Sequence, residues 1–365
     1  MPSKARLARV GLAVFAAVAT ATAVTLPAHA ATPLDRVNKV VDSAHPWRHG
    51  IVPTVEGAKN DLLGLGLPIN IPLLDQNLSY GGGNGGVGVT TGAPKVYLVF
   101  WGSQWGTAGT NAKGDTTLTN DPAGAAPVVQ EFFKGLGTNN EGWSKVMTQY
   151  CEGVSSGTET CPASAAHVGY PTGGALAGVW YDNSAAAPSQ ATSTQLGQEA
   201  VNAAAHFGNT TAASNRNAQY AILSPTGTHP DGYNTASSNW CAWHDWTGDV
   251  SVSSPYGGLA FANDPYQLDM GGSCGQNFVN SGSAGNTDGF TLVFGHEYAE
   301  TITDQFPAGG WTDFQGQENA DKCAWISSGQ GASQNITLST GSFAVQSTWG
   351  NDFNNNNGGC EITHA

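Results

Sequence analysis

The sequence predicts an α/β fold with a mixed, mainly parallel sheet and helices on both faces. Continuous apolar runs of strand length at 95–102 and 218–223 are typical of strands buried on both faces. Amphipathic segments at 127–136 and 195–207 are predicted to be helices, and a short strand is expected at 178–181. The alternation of strand and helix indicates right-handed crossovers and parallel strand pairing.

The first 30 residues have the features of a secretory signal peptide. The basic residues Lys4, Arg6 and Arg9 precede an apolar run at 10–24, and Ala-His-Ala at 28–30 is a small-residue cleavage site. This apolar run is too short to span a membrane, and no later segment approaches the roughly 20 apolar residues that a span requires. We therefore expect a secreted, extracellular protein without a transmembrane segment.

The net charge argues against some classes of partner. The chain carries a formal charge of −14, and without residues 1–30, which hold three basic and no acidic residues, the charge becomes 10 − 27 = −17. Polyanions are repelled by such a surface. A nucleic acid is therefore not expected as a partner, and a peptide, a protein or a cell-wall component is.

Six cysteines, all beyond residue 30, indicate an oxidising compartment. Six cysteines allow about fifteen pairings, and the sequence alone does not choose among them. The pairing that we favour is Cys151 with Cys161, Cys241 with Cys274, and Cys323 with Cys360.

The chain is expected to have three parts. The signal peptide at 1–30 is followed by a leader or propeptide-like arm at 31–90, in which the glycine-rich stretch 80–86 reads as a flexible linker. Such an arm either covers a site until it is removed or serves as an ordered arm or spacer. The remaining residues, 91–365, are expected to form one globular domain. It ends with a β-hairpin made of 335–338 and 342–349.

The segment 295–304 is predicted to be a helix that carries catalytic groups. Apolar residues recur there at near-helical spacing, and no proline occurs before Pro307. His296 and Glu300 are four residues apart and therefore share one face of the helix. Glu297 lies beside them and could reach a water molecule held between them. The pattern is the zinc-peptidase motif H-E-x-x-H with glutamate in place of the second histidine.

His296, Glu300 and Glu318 are the predicted metal ligands, and Glu297 is the predicted catalytic base. A later glutamate also completes the site of the gluzincin peptidases, which this arrangement resembles. Zinc is the expected ion, and the carboxylates leave Mn or Ca possible. Three further side chains are candidates for extra ligands or supporting residues: Asp304, Asp321 and His244.

Two structural alternatives stay open at this point. The acids and His296 could form only a solvated helix face, although Gly295 in mid-helix, at a cost of about 1 kcal/mol relative to alanine, favours a closely packed helix. His244 lies among tryptophans and is by default a structural histidine. The same default applies to three others: His167, His206 and His229.

The order of short motifs resembles the exordium-like, or phosphate-induced protein, family of secreted proteins. The matching pieces are VYLVFWG at 96–102, the helix at Trp143, CAW at 241–243, GHEYAETITD at 295–304, ENADKC at 318–323, and FAVQSTW at 343–349 with Cys360. The resemblance implies an extracellular or wall-associated protein. The H-E-x-x-E helix of that family implies a zincin-like site with the same residues.

Two functions follow from these observations. The first is a secreted metal-dependent hydrolase, a zinc metallopeptidase that acts on extracellular peptides or proteins. The alternative is a non-catalytic extracellular or cell-wall-associated binding or signalling protein with a structural metal or none. In that case Trp240, Trp243, Trp246 and Trp311 would line a surface for a carbohydrate or a partner.

Overall fold

The computed structural model describes residues 48–64 and 77–365. The predicted signal peptide and the parts of the arm at 31–47 and 65–76 lie outside the described residues. The helices are α1 (Val55–Gly64), α2 (Ala125–Gly135), α3 (Trp143–Met147), α4 (Ser193–His206), α5 (Ala212–Asn215), α6 (Asp288–Thr303) and a single turn, α7 (Phe353–Asn356). The strands are β1 (His49–Pro53), β2 (Ser79–Tyr80), β3 (Lys95–Trp101), β4 (Ala108–Thr110), β5 (Thr116–Leu118), β6 (Cys151–Glu152), β7 (Ala166–His167), β8 (Leu176–Asp182), β9 (Ala218–Leu223), β10 (Trp240–Trp246), β11 (Ala260–Asp264), β12 (Trp311–Thr312), β13 (Gln334–Thr337), β14 (Ser342–Val345), β15 (Thr348–Gly350) and β16 (Gly359–Glu361).

The central sheet has six strands in the order β1-β10-β11-β9-β3-β8. The pairs β11 with β9, β9 with β3, and β3 with β8 are parallel. The pairs β1 with β10 and β10 with β11 are antiparallel. The predicted mixed α/β fold with a mostly parallel sheet is therefore confirmed.

Strand β9 shows how helices cover the two sides of this sheet. The Gln219 side chain donates a hydrogen bond of 2.7 Å to Thr301 Oγ1 of α6. The hydroxyl of the next residue, Tyr220, donates one of 2.6 Å to Asn215 Oδ1 of α5. Successive strand residues point to opposite faces. Helix α6 therefore packs on one face of β9 and α5 packs on the other.

Helix α6 is the centre of the domain, and all 16 of its residues are buried. It contacts β10 of the central sheet, β14 and α2. A Cβ on Gly295 would lie 3.3 Å from Phe132 Cζ and 3.6 Å from Trp143 Cη2, so neighbouring aromatic rings approach the helix closely here. Complete burial excludes the alternative in which the acids of this helix form a solvated face.

Three disulfides stabilise the chain: Cys151–Cys161, Cys241–Cys274 and Cys323–Cys360. These are the three pairs that the sequence analysis favours. The last one joins β16 to the 3₁₀ turn Asp321–Cys323, which follows Glu318. Such crosslinks fit a secreted protein. None of the described helices is long and apolar enough to cross a membrane.

Part of the predicted arm belongs to the sheet. Strand β1 forms one edge of the central sheet and, among the strands of the described residues, pairs only with β10. The glycine-rich stretch, expected to be a flexible linker, packs on the loop that follows α6. Gly81 N donates to Gly310 O at 2.6 Å and Gly83 N donates to Gly309 O at 2.9 Å. Glycines lack a Cβ and so permit this close approach of two backbones.

The C-terminal strands differ from the predicted boundaries. Strands β13 and β14 pair in antiparallel register, but β14 ends at Val345. Strand β15 follows two residues later and pairs with β16 instead. The interruption includes Gln346, whose carbonyl accepts a hydrogen bond of 2.8 Å from Trp143 Nε1 and whose side chain turns towards α6.

Candidate metal centre

His296 lies in the middle of α6 and is fully buried. Its Nδ1 is 3.1 Å from Gln346 Oε1. The amide NH2 of Gln346 donates to the carbonyls of Ala320 and Ser347 at 2.8 and 3.2 Å, so its Oε1 must accept from the Nδ1–H of His296. This arrangement leaves Nε2 for a proton or a metal. In metal sites, a hydrogen bond to one ring nitrogen of a histidine holds the ring so that the other nitrogen faces the metal. His296 has this arrangement, with Nδ1 held by Gln346.

Nε2 of His296 faces two carboxylates. It lies 3.0 Å from Glu300 Oε1 and 3.6 Å from Asp321 Oδ1, yet within the described residues neither Nε2 nor Oδ1 forms a hydrogen bond of standard geometry. Ligand atoms around a tetrahedral zinc at about 2.1 Å lie roughly 3.4 Å from one another. The three atoms therefore have the spacing of ligands around a common point. We call His296, Glu300 and Asp321 the helix group.

A second group lies on the other side of Glu300. His244 Nε2, from β10, is 3.2 Å from Glu318 Oε2 and 3.7 Å from Glu300 Oε2. The side chains of all three residues have an exposed fraction of 0 %. Glu300 Oε2 and Glu318 Oε1 have no hydrogen-bond partner among the described residues. We call His244, Glu300 and Glu318 the strand group.

A tight turn presents the two downstream acids to these groups. Glu318 N donates a hydrogen bond of 3.1 Å to Asp321 Oδ2, and Asp321 N donates one of 2.8 Å to Glu300 Oε1. The two carboxylates consequently point to different sides of Glu300. The ligand set expected from the sequence is thus divided: Asp321 takes the third position beside His296, and Glu318 lies beside His244.

Glu297 is buried next to both groups, and neither of its carboxyl oxygens has a hydrogen-bond partner. Burial raises its pKa well above the ordinary value, and the charges of Glu300, Asp264 and Asp321 raise it further. Asp264, at the end of β11, is a buried acid with an unpartnered Oδ1 that the sequence analysis missed. The only signal in the sequence was its position at the end of an apolar run.

The centre has an excess of negative charge in a dry environment. Burial raises the pKa of Glu318 well above its ordinary value and that of Glu300 to about 7. Burial lowers the pKa of His296, but the carboxylates of Glu300 and Asp321 raise it to about 10. A bare buried carboxylate costs several kcal/mol. Protons or metal ions must therefore neutralise these acids.

Lysine and arginine in the described part of the chain do not supply this positive charge. Within residues 48–64 and 77–365, the ion pairs of Glu300, Glu318 and Asp321 involve only the two histidines. Nitrogen from imidazole together with carboxylate oxygen is a donor set that zinc and manganese accept. The residues of the centre therefore fit a divalent cation.

Asp304 belongs to neither group. Its Oδ2 accepts a hydrogen bond of 3.1 Å from Ala308 N, and its Oδ1 accepts one of 2.5 Å from Gly310 N. Burial raises the pKa of Asp304 and these hydrogen bonds partly offset the rise, so that the pKa is about 8. Asp304 therefore holds the loop after α6 in place, and its role as a ligand or supporting residue stays a prediction.

The three histidines that the sequence analysis took to be structural have ordinary partners. His167 contacts the carbonyls of Thr148 and Pro162 at 2.9 and 3.1 Å. His206 stacks on Trp180 with 4.3 Å between ring centroids. His229 Nδ1 lies 3.0 Å from the carbonyl oxygen of Tyr233. His244, which had the same default, instead belongs to the strand group.

Strand β1 covers the strand group. Gly50 has a φ of +51°, and a Cβ at this position would lie 2.0 Å from Glu300 Oε2 and 2.5 Å from His244 Nε2. His49 Nε2, next to it, is 3.3 Å from Asp249 Oδ2. Only a residue without a side chain fits against the two ligating atoms. The edge strand therefore closes the centre towards the sheet edge.

The four tryptophans expected to line a surface are largely buried. Trp240, Trp243 and Trp311 are buried, with exposed fractions of 2, 0 and 1 %. Trp246 is partly buried and stacks on Phe306 with 4.6 Å between ring centroids. The rings therefore pack mainly inside the fold, and the tryptophan-lined surface stays a prediction.

Comparisons with protein-family models, with curated proteins and with solved structures found no match.

Proposed function

We propose that the chain is a secreted metal-dependent hydrolase, a zinc metallopeptidase that acts on extracellular peptides or proteins. The observation that carries this proposal is the helix group next to Glu297. Unpartnered buried atoms of His296 and Asp321 converge there with Glu300 Oε1 at ligand spacing. Beside them lies a buried carboxyl group whose two oxygens are also without partners.

The residues of the chain would divide the work as follows. His296, Glu300 and Asp321 would hold the ion, which supplies Lewis acidity and lowers the pKa of a bound water. Gln346 orients the imidazole of His296 through Nδ1. Glu297 would accept the proton of the attacking water and pass it to the leaving amine. Two carboxylate ligands reduce the net charge of the site, so we expect a slower enzyme than one with a three-histidine site.

The proposal includes a role for the arm at 31–90 as a propeptide-like cover. Two observations support this role. Gly50 of β1 lies against the strand group, and β1 has only one neighbour in the sheet. An edge strand can leave a sheet without breaking the pairing of the others. Release of this strand would give a peptide access to a centre whose groups are otherwise enclosed.

The likeness of α6 to a zincin helix and the resemblance to the exordium-like family remain part of this proposal. Both rest on the motif around His296 and on short segments in matching order. The three disulfides are consistent with an extracellular location. Zinc is the ion that we propose, with Mn or Ca as substitutes that a carboxylate-rich site accepts.

The second candidate is a non-catalytic extracellular or cell-wall-associated binding or signalling protein with a structural metal. The full burial of His296, Glu297 and Glu300 favours it, because structural metal sites are closed whereas catalytic sites keep an open position. The two candidates make opposite predictions for Glu297, which is not a ligand in either one.

The substitution Glu297→Gln tests the proposed reaction. The amide preserves the shape of the side chain but cannot accept a proton, so hydrolysis of a broad peptide library should fall by about 10²-fold or more while metal content stays unchanged. The assay uses the secreted chain with and without limited proteolysis of the arm, and His364→Ala serves as the control. Hydrolysis undiminished in Glu297→Gln would end the proposed mechanism, and no hydrolysis by any form would favour the structural-metal candidate.

A further inference from the structure

The helix group and the strand group together contain more ligands than one ion can use. Within each group the ligating atoms lie within 4.8 Å of one another, but the two groups share only Glu300. Two ligands of a single zinc at about 2.0–2.2 Å are at most about 4.4 Å apart. No larger group in the described part of the chain contains both His244 and His296. One ion therefore cannot bind all five side chains as they stand.

Glu300 is placed to serve both groups with different oxygens. Its Oε1 is 3.0 Å from His296 Nε2, and its Oε2 is 3.7 Å from His244 Nε2. A carboxylate that offers one oxygen to each of two ions is the usual way in which two-metal sites keep their ions about 3.5–4 Å apart. Oε2 is buried and has no hydrogen-bond partner among the described residues, so this oxygen is available to bind a second ion.

The charge of the centre favours the same conclusion. Glu297, Glu300, Glu318 and Asp321 are four acids around two histidines, and the ion pairs of the last three include no lysine or arginine in the described residues. One divalent cation would leave roughly half of their charge uncompensated in a low-dielectric interior. Glu318 Oε1, which has no hydrogen-bond partner among the described residues, belongs to the strand group. An ion bound by the helix group would not neutralise it.

From these observations we propose that the centre binds two divalent cations bridged by the Glu300 carboxylate. The first is the ion of the proposed hydrolase, held by the helix group, and the inference rests on that proposal. The second is held by His244 and Glu318 together with Glu300 Oε2. The strand group would thus be a metal site in its own right.

The test is the number of ions per chain, measured by inductively coupled plasma mass spectrometry after loading with zinc and desalting. We expect two ions per chain in the wild type and one in each of Glu318→Gln and Asp321→Asn, since each variant loses one non-bridging ligand. Glu199→Gln, which changes a buried carboxyl group outside both groups, should keep two. Circular dichroism checks that each variant is folded.

A second readout needs no variant. The wild-type chain loaded with Mn²⁺ should give the electron paramagnetic resonance spectrum of an exchange-coupled pair, because a bridging carboxylate couples the two ions. A spectrum of isolated Mn²⁺ ions, or a content of one ion per chain, would overturn the inference. If Asp321→Asn then loses the single ion, the proposed hydrolase would still stand. No bound ion in the wild type would overturn both the inference and the proposed function.

Discussion

Two clusters in this molecule have the same composition, one histidine and two acids, but different surroundings. The first is the helix group. The second, which we call the C-terminal triad, consists of Asp352, Glu361 and His364. Both ring nitrogens of His364 face acids, with Nδ1 3.2 Å from Glu361 Oε1 and Nε2 3.5 Å from Asp352 Oδ2. The side chains of His364 and Asp352 are 28 and 42 % exposed, whereas those of the helix group are 0 to 2 % exposed.

The comparison leads us to expect that burial, rather than composition, decides whether such a cluster binds a metal ion. Asp352 of the C-terminal triad is exposed and His364 is partly exposed, although Glu361 is buried. An exposed ion pair contributes only about 0–1 kcal/mol. The side chains of the helix group are buried, and several of their atoms have no hydrogen-bond partner among the described residues. A cation therefore stabilises the helix group far more than it stabilises the C-terminal triad.

The largest expected effect is that of chelation. Removing the metal with EDTA should destabilise the wild type by about 4 kcal/mol if the ion is present at roughly 1,000 times its Kd. His364→Ala should respond to EDTA as the wild type does, and His296→Ala should respond less, because it has already lost the ion of the helix group. Thermal unfolding followed by circular dichroism measures the effect. An equal response of the two variants would remove the distinction between the clusters.

Glu199 sharpens the comparison, because it is buried like the helix group but has an amide partner. Asn202 Nδ2 donates a hydrogen bond of 3.0 Å to it, and burial raises its pKa from 4.5 to about 8. The folded chain keeps this proton while the unfolded chain releases it, so the stabilising contribution is complete below pH 4.5 and is lost as the pH rises to about 8.

Glu199→Gln should therefore flatten the loss of stability between about pH 5 and pH 8, by up to about 1.4 kcal/mol per pH unit. Urea unfolding of the wild type and the variant at several pH values measures this slope. Identical slopes would mean that burial alone does not shift a carboxyl group in this fold. The effect does not depend on metal, so EDTA should leave it unchanged.

Gly295→Val tests how tightly the buried cluster is packed. The added methyl groups would press on the rings of Phe132 and Trp143, and overpacking of this kind costs about 1–3 kcal/mol. Gly272→Val is the matched control, since a Cβ there would meet no atom within 4 Å. Denaturant midpoints of both variants provide the measurement. Equal midpoints would show that the helix is not pressed against its neighbours at this position.

Gly50→Ala tests the cover over the strand group, and its expected effect is confined to the edge strand β1. The methyl group would collide with Glu300 Oε2 and His244 Nε2, so β1 should detach from β10 and become sensitive to limited proteolysis. Gly85 has a φ of +59°, close to the +51° of Gly50, and the methyl group of Gly85→Ala would meet no atom within 4 Å. It is therefore a control for backbone strain, which costs about 1–2 kcal/mol. Equal proteolysis of the two variants would contradict the proposed cover.

The elements that the sequence predicts best are those whose apolar residues follow a regular spacing. Strands β3 and β9 and helix α6 were recognisable because their buried residues follow a regular pattern. The sequence analysis assigned no strand to β10, because its centre carries His244 and Asp245, both fully buried. Polar residues inside a core break the apolar pattern, and in this protein they do so at the candidate site.

The positions of the ligands were harder to predict for a geometric reason. His296 and Glu300 lie on a helix, whose period fixes which side chains are neighbours. Glu318 and Asp321 lie in a turn, where spacing in sequence does not fix direction. The turn is closed by the hydrogen bond from Glu318 N to Asp321 Oδ2. It places Asp321 beside His296, where the sequence analysis expected Glu318. The contact of Gly50 with the centre is a long-range pairing that no local pattern indicates.

The most direct test of the account is the metal content of two purified proteins, the secreted wild type and His296→Ala, measured side by side after desalting. The account predicts that the wild type retains bound zinc and that His296→Ala has at least one ion per chain fewer, because the helix group then has too few ligands to hold its ion. Glu297→Gln, folded and measured in parallel, should retain the wild-type amount. Equal metal content in the wild type and His296→Ala would contradict the account.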